Sequence, residues 1–247
     1  MEEFGRLGGY YTAINDGLNV LSFYHETYRN FVNYALSNID RVYFGGEFGF
    51  EANPAKNITI TGAAAVGRYY FNSRQNATIS LDNTAEILEN QTVYSENFRV
   101  PSTPQEAYSM GIAYRSPKFW FVSLTGSYFN QMWLDFNPVR RTTNAVDGID
   151  PKSPEWGNIL DQTRLDAQYT VDFYGGYSIK LPYYVNQRAV YFVINAGVSN
   201  MLNNKNIISG GYEQLRYDFD TQNPDQFPSK FYHSYGLNYF ISATVRF

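Results

Sequence analysis

The chain lacks the residue types on which several kinds of fold and site depend. Its 247 residues include no cysteine, which excludes thiolate metal sites and a small scaffold held together by disulfides. Charged residues make up only 17% of the chain, and the net charge is −4 with a pI near 5.2. Because a nucleic-acid partner favours a basic surface, this balance argues against nucleic-acid binding. No apolar run reaches the roughly eighteen residues that a transmembrane helix requires.

Groups that could carry catalysis are also scarce. The chain has two histidines, His25 and His233, and each falls in a predicted long connection between strands. Ser234 follows His233 directly, but adjacent residues of a strand point to opposite faces, so the two cannot form a catalytic dyad. The segment 218–220 is acidic but lacks the glycine and the closing glutamate of an EF-hand loop. We therefore predict no catalytic residue, no metal site, no cofactor and no enzymatic activity.

Aromatic residues, in contrast, are abundant. They form 18% of the chain, with 23 tyrosines and 19 phenylalanines, although the mean hydropathy is −0.40. A chain that is rich in tyrosine, poor in charge and hydrophilic on average is typical of a transmembrane β-barrel. In such a barrel only alternate strand residues meet lipid, and girdles of aromatic residues mark the two membrane interfaces.

The C-terminal segment 234–247 alternates strictly between apolar and mostly polar residues, and this period of two predicts a strand. Its apolar face consists of Tyr235, Leu237, Tyr239, Ile241, Ala243, Val245 and Phe247. The aromatic final residue on that face resembles the C-terminal assembly signal of bacterial outer-membrane β-barrels. The resemblance implies that the barrel-assembly machinery reads a membrane-insertion signal made of Tyr239, Ile241, Ala243, Val245 and Phe247. An ordinary amphipathic strand is the alternative.

Seven further segments repeat the alternating pattern: 6–14, 42–53, 57–70, 107–115, 119–130, 169–181 and 188–199. Short connections (53–57, 116–118 and 182–187) alternate with long ones (15–41, 71–106, 131–168 and 200–233). Compact soluble domains seldom contain a structureless loop longer than about 12–15 residues, whereas outer-membrane barrels combine long extracellular loops with short periplasmic turns. The pattern predicts an all-β fold, an antiparallel transmembrane β-barrel with about eight strands in this chain. A soluble jelly roll or lectin sandwich is the alternative.

A series of short motifs runs along nearly the whole chain. They are residues 22–34, 97–100 with 103–105, 114–120, 134–142, 200–204 and 210–216. In this order, and together with Phe247, they resemble the C-terminal barrel region of TonB-dependent receptors of Bacteroidetes-type bacteria. A complete receptor of that family has a TonB box, a plug domain inside the lumen and a barrel of roughly 22 strands.

The chain differs from that family in its extent. Residues 1–247 have room for about eight strands and no plug, and residues 1–4 lack the basic and apolar regions of a signal peptide. We therefore expect residues 1–247 to be the C-terminal segment of a larger barrel. The alternative is a stand-alone eight-stranded outer-membrane barrel with a structural or adhesive role. In that case the charged residues in its lumen would be Glu47, Glu51, Arg115, Asp172, Lys180 and Arg246.

The resemblance implies TonB-energised uptake of a siderophore, glycan or similar nutrient across the bacterial outer membrane. TonB would act only through a plug, while outer-membrane lipid and lipopolysaccharide would surround the barrel. Aromatic residues beside cations in the long connections suit an anionic siderophore or a sugar ring. The predicted ligand-binding residues are Trp133, Asp135, Arg140, Arg141, Trp156, Tyr212 and Arg216. Alternatively, these aromatic residues anchor the membrane interface and the arginines pair with nearby acids or lipopolysaccharide. A barrel enzyme that acts on lipid or peptide is a third hypothesis, which the scarcity of histidine disfavours.

Overall fold

Eight long strands and six shorter ones make up most of residues 3–25 and 27–247, the part of the chain that the computed structural model describes. Residues 1 and 2, which belong to the N-terminal segment considered above, and residue 26, which belongs to the motif 22–34, lie outside the described residues. The strands are β1 (Glu3–His25), β2 (Asn30–Ala55), β3 (Ile58–Phe71), β4 (Gln75–Leu81), β5 (Ile87–Val93), β6 (Glu106–Arg115), β7 (Trp120–Asn130), β8 (Met132–Trp133), β9 (Arg164–Leu165), β10 (Gln168–Val185), β11 (Arg188–Ser199), β12 (Ile208–Tyr212), β13 (Lys230–His233) and β14 (Asn238–Arg246).

Short helices lie in the connection between β7 and β10. They are the α-helix α1 (Pro154–Leu160) and two 3-10 helices (Val139–Arg141 and Asn144–Val146). Ser153 caps α1, because its side chain accepts a hydrogen bond of 3.4 Å from the Trp156 N–H, and Pro154 starts the helix without losing a backbone bond. Among the described helices, none has the length and apolar character needed to cross a membrane.

The eight long strands belong to one ten-stranded antiparallel sheet and follow the order β1-β2-β3-β6-β7-β10-β11-β14. The other two strands of the sheet are β4, which pairs with β2, and β5, which pairs with β4. Each of the eight predicted segments overlaps a different one of the eight long strands, although β1, β2 and β10 extend beyond the predicted bounds, so the predicted all-β, antiparallel fold is confirmed. Short turns join β2 to β3, β6 to β7 and β10 to β11 at one end, here termed the turn end. In the last of these turns both Asn186 and Gln187 have positive φ (49° and 66°), as a tight two-residue hairpin requires. The other connections lie at the opposite end, termed the cap end.

The register of the ladders aligns the predicted apolar residues of all eight strands on one face of the sheet, termed the apolar face. Tyr128 lies directly opposite both Tyr108 and Tyr169, and the same alternation continues to both edges of the sheet. Met110 is 64% exposed and Ile241 is 71% exposed, so the described part of the chain does not cover this face. The opposite, polar face carries mainly small and polar residues, among them Gly45, Glu47, Thr61, Ala63, Ala65, Ser109, Thr125, Ser127, Asp172 and Asn195.

Two rows of aromatic residues bound the central part of the apolar face. The upper row, nearer the cap end, consists of Tyr108, Tyr128 and Tyr169. The lower row consists of Tyr114, Trp120 and Tyr177. Between the rows lie Met110, Ile112, Val122, Leu124, Val171 and Phe173. The step from Trp120 to Tyr128 along β7 corresponds to about 27 Å at about 3.4 Å per residue.

The run of eight long strands has two free edges. β1 pairs with β2, β14 pairs with β11, and the ladders between described residues include no pairing of β1 with β14. Closure into a barrel and insertion into a membrane therefore stay predictions. Unpaired backbone groups are very unfavourable in lipid, so a membrane location requires each edge to pair with the other or with additional strands.

The predicted long connections are not structureless loops, and that part of the sequence prediction is wrong. Most of 15–41 belongs to β1 and β2, which form one long hairpin. Positive φ at Asp16 and Asn38 (55° and 57°) accompanies a register shift after Ile14. Such irregularities move side chains to the other face. The period of two therefore breaks, and the sequence pattern ends one strand at residue 14 and starts the next at residue 42. The other connections contain the β4–β5 hairpin, the helices with the β8–β9 pair, and the β12–β13 hairpin.

These connections fold together into a cap, defined as the described residues of 15–40, 72–105, 131–167 and 200–233. Phe71 continues the alternation of the polar face of β3 and packs into the main hydrophobic cluster of the cap. The cap therefore lies over the cap end of the polar face. The buried members of this cluster are Val32, Tyr34, Leu36, Ile39, Phe71, Ala77, Ile79, Val93, Phe136 and Val139.

Candidate functional site

A cavity of about 580 Å³ lies between the cap and the cap end of the polar face. Its apolar lining includes Leu36, Ile39, Phe71, Phe136, Pro138 and Leu215. Its polar lining includes Arg41, Gln75, Asp135, Tyr212 and Glu213. Small-molecule sites typically enclose about 300–1,000 Å³ and combine apolar walls with a few polar groups. The cavity has both properties and is the candidate functional site.

Arg41 supplies a cation to this cavity from the sheet itself. It lies on β2 between Ile14 of β1 and Phe71 of β3, and its guanidinium carbon lies 5.8 Å from the centroid of the Phe71 ring. Its Nε atom is buried and has no hydrogen-bond partner among the described residues. A buried donor without an acceptor is unfavourable. Arg41 lines the cavity, where its charge would favour a ligand with an anionic or carbonyl oxygen.

Asp135 and Tyr212 reach the cavity from two different connections. Their backbones form an isolated parallel bridge, and the N–H of Glu213 donates a 2.8 Å hydrogen bond to the carbonyl oxygen of Asp135. The Asp135 carboxyl keeps access to the cavity. Burial by the surrounding protein and the charge of Glu213 raise its pKa, while the N–H of Phe136 lowers it to a smaller extent. The carboxyl and the tyrosine hydroxyl are suited to the hydroxyl groups of a sugar or siderophore.

A buried ion pair joins the same two connections beside the cavity. The Arg141 guanidinium, which is fully buried, donates hydrogen bonds to both carboxylate oxygens of Glu213. It also donates to the carbonyl oxygens of Leu160, Asn137 and Asp161 at 3.2, 3.2 and 2.8 Å. All three of its nitrogen atoms thus have protein acceptors. This geometry gives Arg141 a structural role in holding the cap together.

The electrostatic environment of Glu213 makes this pair sensitive to acid. Burial tends to raise the pKa of Glu213, but the hydrogen bond and charge of Arg141 act in the opposite direction. The charge of Arg140 and the hydrogen bond from the Asn137 N–H lower it further, so that the pKa of Glu213 lies below its usual value. A carboxylate with a lowered folded-state pKa stabilises the fold above its unfolded pKa, and this contribution is lost as the pH falls through the folded value.

We therefore expect the cap to lose stability on acidification below about pH 4, near the pKa of an unfolded glutamate. Denaturant unfolding should be followed by the fluorescence of Trp156, which packs against the cap cluster of Ile159 and Tyr217. The stability advantage of the wild type over the Glu213→Gln variant should be greatest at neutral pH and should shrink in acid. An advantage that grows as the pH falls would contradict this assignment.

The structure brings only part of the predicted ligand-binding set together. Asp135 and Tyr212 line the cavity, whereas Arg141 is enclosed by protein acceptors. Arg140 donates to two backbone oxygens of α1 at 2.6 and 3.1 Å and lies 3.9 Å from the Glu213 carboxylate. Arg140 therefore supports the same ion pair from its less buried side.

The remaining predicted residues lie outside the cavity. Trp156 packs against Tyr94, with ring centroids 5.6 Å apart. The Arg216 guanidinium carbon lies 4.2 Å from the centroid of Phe227. Trp133 contacts Arg99 and Arg164, whose guanidinium carbons lie 5.9 and 5.8 Å from the centroid of its ring. These three residues contribute to other surfaces of the cap.

Sequence reasoning does not identify Glu213, Gln75 or Arg41 of the cavity lining as ligand-binding residues. Gln75 starts β4, where Ala77, Ile79 and Leu81 alternate with polar residues and could have been recognised as a short strand. Arg41 has no comparable signal. Its position in the cavity depends on the pairing of β2 with both β1 and β3, which a single charged residue in the sequence does not reveal.

The described residues contain no group of three or more histidine, aspartate or glutamate side chains that could hold a metal ion. Comparison of the chain with protein-family models, curated proteins and solved structures found no match.

Proposed function

We propose that the chain is a wall segment of an outer-membrane β-barrel that works in TonB-energised uptake of a siderophore, glycan or similar nutrient. Outer-membrane lipid would cover the apolar face, the cap would lie outside the cell and the short turns would lie in the periplasm. The barrel-assembly machinery would recognise the strand that ends at Phe247. TonB would act through a plug in the lumen, on the side of the polar face.

One observation carries the membrane part of this proposal: strands from β1 to β14 expose apolar side chains on this face, and two aromatic rows bound its central part. The separation of Trp120 from Tyr128 is about 27 Å along the strand. At the strand tilt of about 35–45° found in transmembrane barrels this corresponds to a height of about 19–22 Å, which fits within their apolar band of about 25 Å. Soluble monomers rarely expose contiguous apolar patches of more than a few hundred Å². Lipid is the neighbour that satisfies such a face without a partner protein.

The cavity and the resemblance support the uptake part of the proposal. The cavity lies at the end of the sheet that would face the outside, and it opens beside the polar face, where a lumen would lie. Arg41 offers a cation, and Asp135, Tyr212 and Gln75 offer hydrogen-bonding groups around apolar walls. This combination suits a small anionic ligand with several hydroxyl groups.

A stand-alone eight-stranded barrel is the second candidate. It is favoured by the count of eight long strands in the described residues, because single-chain outer-membrane barrels have an even number of strands. Pairing of β1 with β14 within one chain would distinguish it from a segment of a larger barrel.

The orientation can be tested with single cysteines, because the chain has none of its own. Lys152 lies exposed in the cap, and Lys118 lies exposed in the turn between β6 and β7. In intact Gram-negative cells, a membrane-impermeant maleimide should label the Lys152→Cys variant. It should label the Lys118→Cys variant only after the outer membrane is permeabilised. Equal labelling of both variants in intact cells would refute the membrane location, and the reverse order would refute the orientation.

Ligand binding can be tested with a panel of hydroxamate and catecholate siderophores, sugar acids and neutral oligosaccharides, measured by calorimetry. Removing a charged hydrogen bond costs about 1.5–3 kcal/mol, so Arg41→Ala should weaken a bound anionic ligand roughly 10- to 100-fold. The matched control is Arg188→Ala, which removes an exposed arginine at the turn end. Equal effects of the two substitutions would show that the cavity is not the ligand-binding site.

Uptake itself needs a cellular measurement. In the source organism, disruption of the region that encodes β6 and β7 should abolish uptake of the ligand found in that panel. An uncoupler that collapses the proton gradient should abolish the same uptake in the undisrupted strain. Uptake that survives the uncoupler would refute TonB-energised transport while leaving the membrane location intact.

A further inference from the structure

Two arginines contact one tryptophan at the cap end of the apolar face. The guanidinium carbons of Arg99 and Arg164 lie 5.9 and 5.8 Å from the centroid of the Trp133 ring. Trp133 and Arg164 are direct partners in the β8–β9 pair. Arg99 forms a bridge with Tyr70, which continues the alternation of the apolar face along β3. Because partners in a bridge point to the same side, this cluster lies on the side of the apolar face.

Hydrogen bonds position both arginines without neutralising them. The backbone N–H and carbonyl oxygen of Arg99 bond the Gln162 side chain, each at 2.7 Å. Arg164 Nη2 donates to the Asn130 side chain at 3.2 Å, and Asn130 donates in turn to Glu106 at 3.0 Å. The ion pairs among the described residues involve neither Arg99 nor Arg164. The cluster therefore keeps its positive charge. Glu106 is the carboxylate connected to it, through the hydrogen bonds of Asn130.

An apolar groove of about 460 Å³ lies on the same face below this cluster. Along β7 the order is Asn130, then Tyr128 of the upper aromatic row, then Gly126 in the groove. A Cβ atom built on Gly126 would approach other atoms no closer than 4.0 Å, so space is open above it. The walls of the groove include Phe48, Phe50, Tyr108, Met110, Tyr128 and Tyr169.

We infer that this part of the apolar face is a binding site for one phosphorylated lipid. Arg99, Trp133 and Arg164 bind its phosphate headgroup, and the groove over Gly126 holds one of its acyl chains. The inference rests on the proposed membrane location of the apolar face. It goes further by assigning a specific lipid class and a defined site to a face that otherwise needs only bulk lipid.

From the cap end downwards, successive parts of the face match successive parts of a lipid with an anionic headgroup. Guanidinium groups bind phosphate oxygens through paired hydrogen bonds and keep their charge. Tryptophan and tyrosine favour the boundary between headgroups and hydrocarbon. The order of arginines, aromatic row and apolar groove from the cap end downwards is the order of phosphate, glycerol or sugar and acyl chain in a membrane lipid. A site for free phosphate would explain the arginines but not the adjoining groove.

The site can be tested on the full chain in detergent micelles, with bisphosphorylated lipid A, its dephosphorylated form and inorganic phosphate as probes. Native mass spectrometry and fluorescence titration of Trp133 should show preferential binding of the phosphorylated lipid. We expect the Arg99→Ala/Arg164→Ala variant to bind that lipid roughly tenfold more weakly or worse. Gly126→Leu, which fills the groove, should weaken binding of both lipids. Arg188→Ala, at the turn end, should change nothing.

The outcomes separate this inference from the proposed function. If the chain inserts into vesicles but the double variant binds phosphorylated lipid as well as the wild type does, the headgroup site is refuted and the membrane location survives. If inorganic phosphate alone competes at concentrations comparable to the lipid, the site is one for free phosphate and the lipid assignment is refuted. If the inserted chain binds neither form of lipid A, the headgroup site and the acyl-chain groove are both refuted, and the membrane location again survives.

Discussion

Replacing Arg141 by alanine should lower the free energy of unfolding of the cap by about 3–5 kcal/mol, the range typical when one partner of a buried ion pair is removed. The substitution leaves the Glu213 carboxylate buried without its main partner. It also removes the donor to three backbone oxygens that connect the 137–141 segment with the C-terminal end of α1. The measurement is denaturant unfolding followed by Trp156 fluorescence, with Trp120 and Trp133 replaced by phenylalanine.

The matched control for this experiment is Arg74→Ala. Arg74 pairs with Glu96 at 3.4 Å on the surface of the cap, where both side chains are about half exposed. Exposed pairs contribute about 0–1 kcal/mol, so the control should have little effect. The double variant Arg141→Ala/Glu213→Ala should be destabilised by less than the sum of the single variants, because neither charge is then left alone. A loss for Arg141→Ala no greater than that for Arg74→Ala would show that the pair does not hold the cap.

Replacing Leu124 by arginine should strongly impair folding into a bilayer. Leu124 lies between the two aromatic rows on β7, near the centre of the predicted apolar band. An arginine on the lipid face of a barrel costs about 2–4 kcal/mol near the bilayer midplane. The measurement is the urea dependence of folding in lipid vesicles, read from the shift in gel mobility between folded and unfolded chains.

The neighbouring residue provides the control. Thr125 follows Leu124 directly and points to the polar face, so Thr125→Arg introduces the same charge at the same depth on the opposite side. It should be tolerated much better, because a lumen can hydrate the guanidinium group. Equal damage from both substitutions would indicate that protein, rather than lipid, covers the apolar face.

The strands of the sheet could be predicted from the sequence because one physical rule governs them. A sheet with one apolar face requires a period of two, and segment 107–115 follows it without interruption. The rule fails where the backbone departs from regular pairing. Asp16 and Asn38 interrupt the alternation of β1 and β2, so the sequence pattern predicts a loop where the cap-end halves of both strands lie.

The cap and its cavity were harder to predict, because they depend on contacts between distant segments. The residue types of Asp135 and Tyr212 predict ligand binding. The backbone bridge that brings their two connections together is visible only in the fold. The residue type of Arg141 predicts the same role. Its partner Glu213 lies in another connection, and the buried ion pair between them gives Arg141 a structural role instead. Local sequence indicates which residues can bind a ligand, whereas the packing of the connections determines which of them are free to do so.

Whether lipid covers the apolar face is tested most directly by depth-dependent quenching of tryptophan fluorescence in vesicles with brominated lipids. Single-tryptophan variants should retain Trp120 in the lower row or Trp156 in the cap, and a third should carry Leu124→Trp as its only tryptophan. The tryptophan introduced at position 124 should be quenched most strongly by bromines deep in the acyl chains, and Trp120 by bromines nearer the headgroups. Trp156 should not be quenched. Absence of quenching at position 124, or equal quenching there and at Trp156, would contradict a membrane-embedded apolar face.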